Sequence, residues 1–197
     1  MATLEFWYEF ASTYSYPAAM RIEDLAARKG VEIAWRPFLL GPIFGAQGMT
    51  DSPFNLFPIK GQYMWRDIER QCARFDIPFK KPDLFPQNGL LAARIALVGD
   101  APGWCAEFSR AVYGANFVHG KDISSVDVLM AILRELGLDA DKILNLATSE
   151  ANKESLKARV KEAQKRGLFG APTFFAGDEM FWGNDRLEEA LGWVKTG

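Results

Sequence analysis

Leu4-Glu5-Phe6-Trp7-Tyr8-Glu9-Phe10-Ala11-Ser12-Thr13-Tyr14-Ser15-Tyr16-Pro17 changes its periodicity half-way along. Up to Phe10 the residues alternate, with Leu4, Phe6, Tyr8 and Phe10 on one side and Glu5, Trp7 and Glu9 on the other, the two-residue period of a strand. A helix is predicted to follow, capped by Ser15, with Pro17 in the first turn, where its missing N–H is not needed. Ala18, Ile22, Leu25 and Ala26 supply an apolar face, and Lys29-Gly30 is a stop signal. Val31, Ile33 and Trp35 predict a second strand that ends at Arg36-Pro37. The crossover between the two strands is long enough for them to run parallel.

Beyond this unit, residues 39–61 are broken by Gly41-Pro42, Gly45, Gly48, Asp51-Ser52-Pro53 and Pro58. They read as an irregular excursion, either a functional loop or a connector between lobes. The middle of the chain is helical. Met64, Ile68, Cys72 and Phe75 share one face, and further helices are predicted around 88–98, 101–115, 124–136, 139–147 and 149–166. Ser124 with Asp127 suggests a capping arrangement, and Gly137 a stop. Near the end, Pro172–Ala176 and Glu179–Trp182 flank Gly177-Asp178, a hairpin signal, and Gly183-Asn184-Asp185 opens a last helix through Leu187, Leu191 and Val194. The order is that of an α/β thioredoxin-like fold with an inserted all-helical domain. The expected boundaries are 1–62 for its first part, 63–148 for the insertion and 149–197 for its second part.

Composition narrows the function. In 197 residues, 49% hydrophobic and 24% charged content is that of a globular chain and not of a disordered one. The 13% aromatic content predicts a well-filled core, with ligand-pocket walls as the rival use. With 23 basic against 25 acidic residues and no basic tract, nucleic acid is not an expected partner. Cys72 and Cys105 form no Cys-x-x-Cys pair, and His119 is the single histidine, so no metal site is expected. His119 reads as a surface or structural residue, and both cysteines as packing residues. No signal peptide is expected from Met1–Glu5, and no apolar stretch reaches the ~20 residues that span a bilayer, so a cytoplasmic protein with reduced thiols is the expectation.

Three turns would meet in such a fold. The first, Ala11–Tyr16, holds Ser12-x-x-Ser15 where a thioredoxin keeps Cys-x-x-Cys at a helix N-terminus, so disulfide exchange is ruled out there. Ser12 is placed either to donate a hydrogen bond to a thiolate brought by a ligand or merely to cap the helix. The second is Phe169-Gly170-Ala171-Pro172-Thr173. The proline at this place is cis in thioredoxin-like proteins, and the residue before it offers its backbone to a peptide. The third is Gly183-Asn184-Asp185-Arg186, in which Asn184 and Asp185 either cap the last helix or bind the charged groups of an amino-acid terminus. Glutathione combines such a terminus with a peptide backbone and a thiol.

Phe10–Tyr16, Arg36–Gly41, Lys60–Met64, Phe169–Phe174 and Phe181–Glu188, taken in order along the chain, resemble 2-hydroxychromene-2-carboxylate isomerases. These are relatives of kappa-class glutathione transferases within the DsbA-like group. The resemblance implies glutathione as a cofactor and Ser12 as the catalytic serine. It further implies that Lys60 approaches the glycine end of glutathione, that Ala171 before Pro172 pairs with the cysteinyl backbone, and that Asn184 and Asp185 hold the gamma-glutamyl end. Asn55 is the candidate for a family asparagine in the loop before the lysine. The implied reaction converts 2-hydroxychromene-2-carboxylate to trans-o-hydroxybenzylidenepyruvate by reversible thiolate addition, bond rotation and elimination. The implied partners are glutathione, a small aromatic carboxylate and a second copy of the chain. Phe38, Phe44, Phe54 and Tyr63 are candidate walls for the aromatic ring. Phe44-Gly45-Ala46-Gln47-Gly48 lacks a cation that the isomerases often carry. A kappa-like transferase or peroxidase and a non-enzymatic thiol-ligand-binding protein are the alternatives.

Overall fold

The computed structural model describes residues 2–194. Strand β1 (Thr3–Tyr8), helix α1 (Ser15–Ala27) and strand β2 (Glu32–Pro37) form the opening unit, with β1 and β2 parallel and Phe6 opposite Trp35. Strands β3 (Thr173–Ala176) and β4 (Glu179–Trp182) form the hairpin, and β3 pairs antiparallel with β1, so the sheet order is β2-β1-β3-β4. A short 3-10 turn (Asn184–Arg186) leads into the last helix. Between β2 and β3 lie helices α2 (Leu40–Ala46), α3 (Pro53–Leu56), α4 (Pro58–Arg74), α5 (Leu90–Val98), α6 (Cys105–Phe117), α7 (Val126–Glu135), α8 (Ala140–Thr148) and α9 (Glu150–Lys165), and α10 (Leu187–Trp193) follows β4. This is the thioredoxin-like core with an inserted helical part.

The central strand β1 is covered on both faces. On one, Phe6 stacks on Phe174 (5.4 Å) and Tyr8 (5.0 Å) and meets the edge of Trp35 (5.0 Å). On the other, Trp7 packs with Phe38, Ile43, Phe175 and, from α9 and the turn after it, Ala163 and Leu168. The alternation seen in the sequence therefore separates two cores and not core from solvent. Phe38, expected as a pocket wall, is fully buried against Trp7 (5.9 Å) and belongs to this second core.

Residues 39–61 are mostly helical, in α2, α3 and the start of α4, and the longest irregular stretch left is 47–52. Pro53 and Pro58 stand in the first turns of α3 and α4, where a proline starts a helix, and the Ser52 hydroxyl accepts a hydrogen bond from the Phe54 N–H. Gly48, with φ +78°, lies beyond the end of α2. The Ser124–Asp127 cap does not form. The Asp122 carboxylate takes both the Ser124 N–H and its hydroxyl, and Ser125 occupies the cap position of α7 without a side-chain bond.

Phe6 touches three aromatic rings, Trp35 and Phe174 from the strands on either side of β1 and Tyr8 from β1 itself. Phe6→Ala is expected to cost ~3–5 kcal/mol of stability, read as a lower denaturation midpoint.

Candidate active site

β1 delivers the chain into the turn Glu9–Ser12, closed by the Ser12 N–H donating to the Glu9 carbonyl (3.0 Å). The Ser12 hydroxyl accepts from the Ser15 N–H (3.2 Å) and donates to the Ala171 carbonyl (3.0 Å). Ser12, and not Ser15, thus satisfies an N-terminal donor of α1. Tyr14 stands at the cap position without a side-chain bond, and the Ser15 hydroxyl is buried. A serine three residues ahead of a free N–H competes well for it, which explains the exchange of roles.

The Ala171–Pro172 peptide is cis, as expected for the second turn. The Pro172 carbonyl accepts from the Gly183 N–H (2.9 Å), so the second and third turns are tied together. In the third turn neither Asn184 nor Asp185 caps a helix. Gly183 and Arg186 hold the cap positions of the 3-10 turn and of α10, with no side-chain cap bond at either. Asn184 is buried, its amide N–H donates to Gln71 Oε1 (2.7 Å), and its Oδ1 has no partner among the described residues. Gln71 in turn donates to Asp67 (2.6 Å), which also takes the Tyr14 hydroxyl (3.0 Å). Neither Gln71 nor Asp67 was read from the sequence as a site residue, although their i, i+4 spacing on α4 puts them on one face.

The three turns open on one cavity of about 1170 Å³, in whose wall Ser12, Lys60, Ala171, Asn184 and Asp185 come together. Phe44, Phe54 and Tyr63 line it as expected, as does Gln47 from the stretch that lacks the cation. Lys60 makes no ion pair among the described residues; its ammonium lies 5.7 Å from the Phe54 ring. Pro172 is buried behind the wall. Asn55 does not line the cavity, because its amide is engaged by Asp51 (3.1 Å) and the Phe85 carbonyl (3.4 Å). Neither cysteine reaches the wall. Burial pushes the Cys72 thiol up to about 12 and the Cys105 thiol up to about 11, so both stay protonated in their cores. His119 is exposed and away from the cavity.

Glu9, unremarked in the sequence beyond its strand alternation, is also in the wall. It is 8% exposed and has no ion-pair partner among the described residues. Its Oε2 accepts from the Ala11 N–H (3.1 Å). Burial raises its carboxyl to about 7, opposed only by that one hydrogen bond. An acidic residue directly after a run of buried aromatics, with no cation in the same alternation, was the signal available.

A DSBA-like thioredoxin domain model matches residues 3–192. The 2-hydroxychromene-2-carboxylate isomerase of Sphingobium xenophagum is 31% identical over 186 residues, covering 94% of each chain. A solved 2-hydroxychromene-2-carboxylate isomerase superposes with a TM-score of 0.86 at 28% identity, over 96% of this chain and 94% of that one. The chain belongs to the 2-hydroxychromene-2-carboxylate isomerase family. Glutathione S-transferase kappa 1 of Rattus norvegicus, 26% identical over 94% of this chain and 87% of that one, marks the relation of the family to the kappa class.

In this family member the buried Glu9 makes stability depend on pH. Its folded-state value lies above the ordinary carboxyl value of about 4.5, so the folded chain holds the proton more tightly than the unfolded one. Stability is therefore expected to be full below about pH 4.5, to fall as pH rises toward 7, and then to be lower by about 3 kcal/mol. Glu9→Gln removes this penalty. Thermal melts are expected to show the variant more stable than the parent at pH 8, with the difference closing toward pH 4.5.

Proposed function

We propose that the chain catalyses the glutathione-dependent isomerisation of 2-hydroxychromene-2-carboxylate, or a close aromatic analogue, to trans-o-hydroxybenzylidenepyruvate. The observation that carries this reading is a cavity with Ser12 at the start of α1 and no protein thiol in its wall. The residues present fit glutathione. Its thiol would meet a serine where thioredoxins have a cysteine, Ala171 would offer its backbone to the peptide, and Asn184 and Asp185 would hold the amino-acid end. The unpartnered Asn184 Oδ1 lies in this turn.

When bound, glutathione supplies a thiolate that adds to a conjugated alkene carbon and departs again, leaving the bond free to rotate in between. The chain's part is to hold and orient. The Ser12 hydroxyl, which donates to the Ala171 carbonyl, would donate to the sulfur and, with the N-terminal end of α1, would favour the anion. Lys60, without an ion pair among the described residues, would meet the carboxylate at the glycine end. A role for Asn55 requires it to exchange its bonds to Asp51 and Phe85 for the ligand. Phe44, Phe54 and Tyr63 hold the aromatic ring and exclude water.

A homodimer in the cytoplasm belongs to the same reading. Phe57 and Ile59, at the start of α4, are exposed apolar residues available to a second copy. Among the described residues no helix is long and apolar enough to cross a membrane.

Substoichiometric glutathione is expected to drive full conversion of the chromene, with substrate absorbance changing and free thiol constant. Thiol lost one-for-one with substrate would favour a kappa-like transferase, and equal rates without glutathione would defeat both.

Ser12→Ala is expected to lower turnover roughly 100-fold. It also removes a bond to the Ser15 N–H, so a stability loss of about 1 kcal/mol is expected alongside. Near-parental turnover in the folded variant would remove Ser12 from catalysis.

A further inference from the structure

The proposed reaction leaves one chemical need without a residue. Opening the chromene ring moves a proton from the hydroxyl on the ring carbon to the ring oxygen. A thiolate held by Ser12 acts on the alkene and does not perform this transfer. Glu9 is the wall residue whose carboxyl is not committed elsewhere. Asp67 is engaged by Tyr14, Arg70 and Gln71, Asp51 by Ser52 and Asn55, and Asp185 stands beside Arg186 (3.7 Å).

The geometry around Glu9 leaves half of its carboxylate free. Oε2 is fixed by the Ala11 N–H, inside the same turn that carries Ser12. Oε1 has no hydrogen-bond partner among the described residues. On the side of α5, the residue facing it is Gly89, and a Cβ there would stand 3.0 Å from Oε1. The missing side chain therefore leaves the oxygen uncovered. From α6, the Tyr113 hydroxyl donates to the Glu9 backbone carbonyl (2.9 Å) and not to the carboxylate. Burial holds that phenol well above its ordinary value, so it stays neutral. No lysine or arginine pairs with Glu9 from any of these elements, and its ionisation is governed by burial.

Resting on the isomerase reading, we propose that Glu9 is a further catalytic residue, the proton carrier of the ring-opening step. Its carboxylate Oε1 takes the proton of the substrate's hydroxyl. The carbon–oxygen bond to the ring breaks, its electron pair stays on the ring oxygen as a phenolate, and the carbon becomes the ketone of the open chain. The Glu9 carboxyl then returns the same proton to the phenolate oxygen. Atoms and charge balance with no further reactant. A carboxyl ionising near 7 is suited to both halves of the exchange at neutral pH.

Glu9→Gln tests this, because the amide oxygen can still accept from the Ala11 N–H while the side chain can no longer carry the proton. Turnover is measured with glutathione on two substrates, the chromene carboxylate and cis-benzylidenepyruvate, an open-chain analogue without the phenol that needs no ring opening. The ratio of chromene to analogue turnover is expected to fall ~100-fold, and the limb near pH 7 in the chromene profile to vanish. Glutathione affinity by calorimetry is expected to stay within about threefold, since the test concerns a proton and not the thiol site. In the parent protein alone, carbon NMR of the Glu9 carboxyl is expected to show titration near neutral pH. Equal loss on both substrates would make Glu9 a residue that merely holds the Ser12 turn, and unchanged chromene turnover or a retained pH limb would remove it from catalysis. A parent protein that converts chromene only by consuming glutathione, or not at all, would instead overturn the isomerase reading itself. If Glu9→Gln fails to fold, Gly89→Ala keeps the carboxyl but crowds Oε1 and, as closely, Phe10 Cβ (3.0 Å each); a loss selective for the chromene is expected, while an equal loss on both substrates, or none, counts against the proposal.

Discussion

The antiparallel pairing of β1 with β3 brings Ser12 to Ala171 across 159 residues of sequence. Everything at the site follows from this contact. Trp7 opposite Thr173 and Phe6 opposite Phe174 fix the register, so the turn by which the chain leaves β1 lies beside the turn by which it enters β3. A one-residue slip would exchange the faces of β1 and move Phe6 and Trp7 into each other's cores. Because both faces are filled with large rings, that slip is strongly disfavoured, and the turns are held where the strands end. The third turn is drawn in by β4, through the Gly183 N–H on the Pro172 carbonyl.

Replacing both thioredoxin cysteine positions by serine changes what the fold can do without changing how it is held. The helix N-terminus still favours an anion, but the chain supplies none there. Its two thiols lie in apolar cores, Cys105 beside the Tyr8 hydroxyl (3.4 Å) and Cys72 on the inner face of α4, where ionisation is costly. A sulfur nucleophile therefore comes from a ligand. The cavity is correspondingly lined by backbone turns, an amide, a lysine and aromatic rings, which recognise a peptide-like thiol and an aromatic acid.

Strand periodicity, the Gly177-Asp178 hairpin and the helical stripes were legible because each is local. The three-turn reading singled out Ser12, Ala171, Asn184 and Asp185, and the family resemblance added Lys60 and the roles; the structure gathers all five in one wall. What could not be read depends on tertiary context. Prolines 53 and 58 look like breakers until it is seen that each begins a helix. Ser15 looks like the cap because it directly precedes the helical period, yet the hydroxyl of Ser12 reaches the N–H first. Phe38 looks like a wall because it borders the excursion, but α9 closes a second core over it. Glu9 looks like an outward residue of a half-exposed strand, and only the packing of α5 and α6 shows that it is buried.

That burial has a physical consequence for the rest of the molecule. An unpaired carboxyl and the unsatisfied Asn184 Oδ1 both oppose folding, and both lie in the cavity wall. The opposing contribution comes from the aromatic network around β1. Tyr8, Phe10, Tyr16, Tyr113 and Phe117 form a continuous chain of ring contacts with centroids 5.2–6.3 Å apart. Such pairs contribute about 0.5–1.5 kcal/mol each beyond their buried area, enough together to offset a buried acid. The network runs directly beneath the Glu9–Ser12 turn, since Phe10 is part of that turn and the Tyr113 hydroxyl holds the Glu9 carbonyl. The high aromatic content is therefore mainly a support for the site and only in part its wall. Rigid rings under the turn keep a costly carboxyl and a catalytic serine in fixed positions, which a softer aliphatic core of the same volume would do less well.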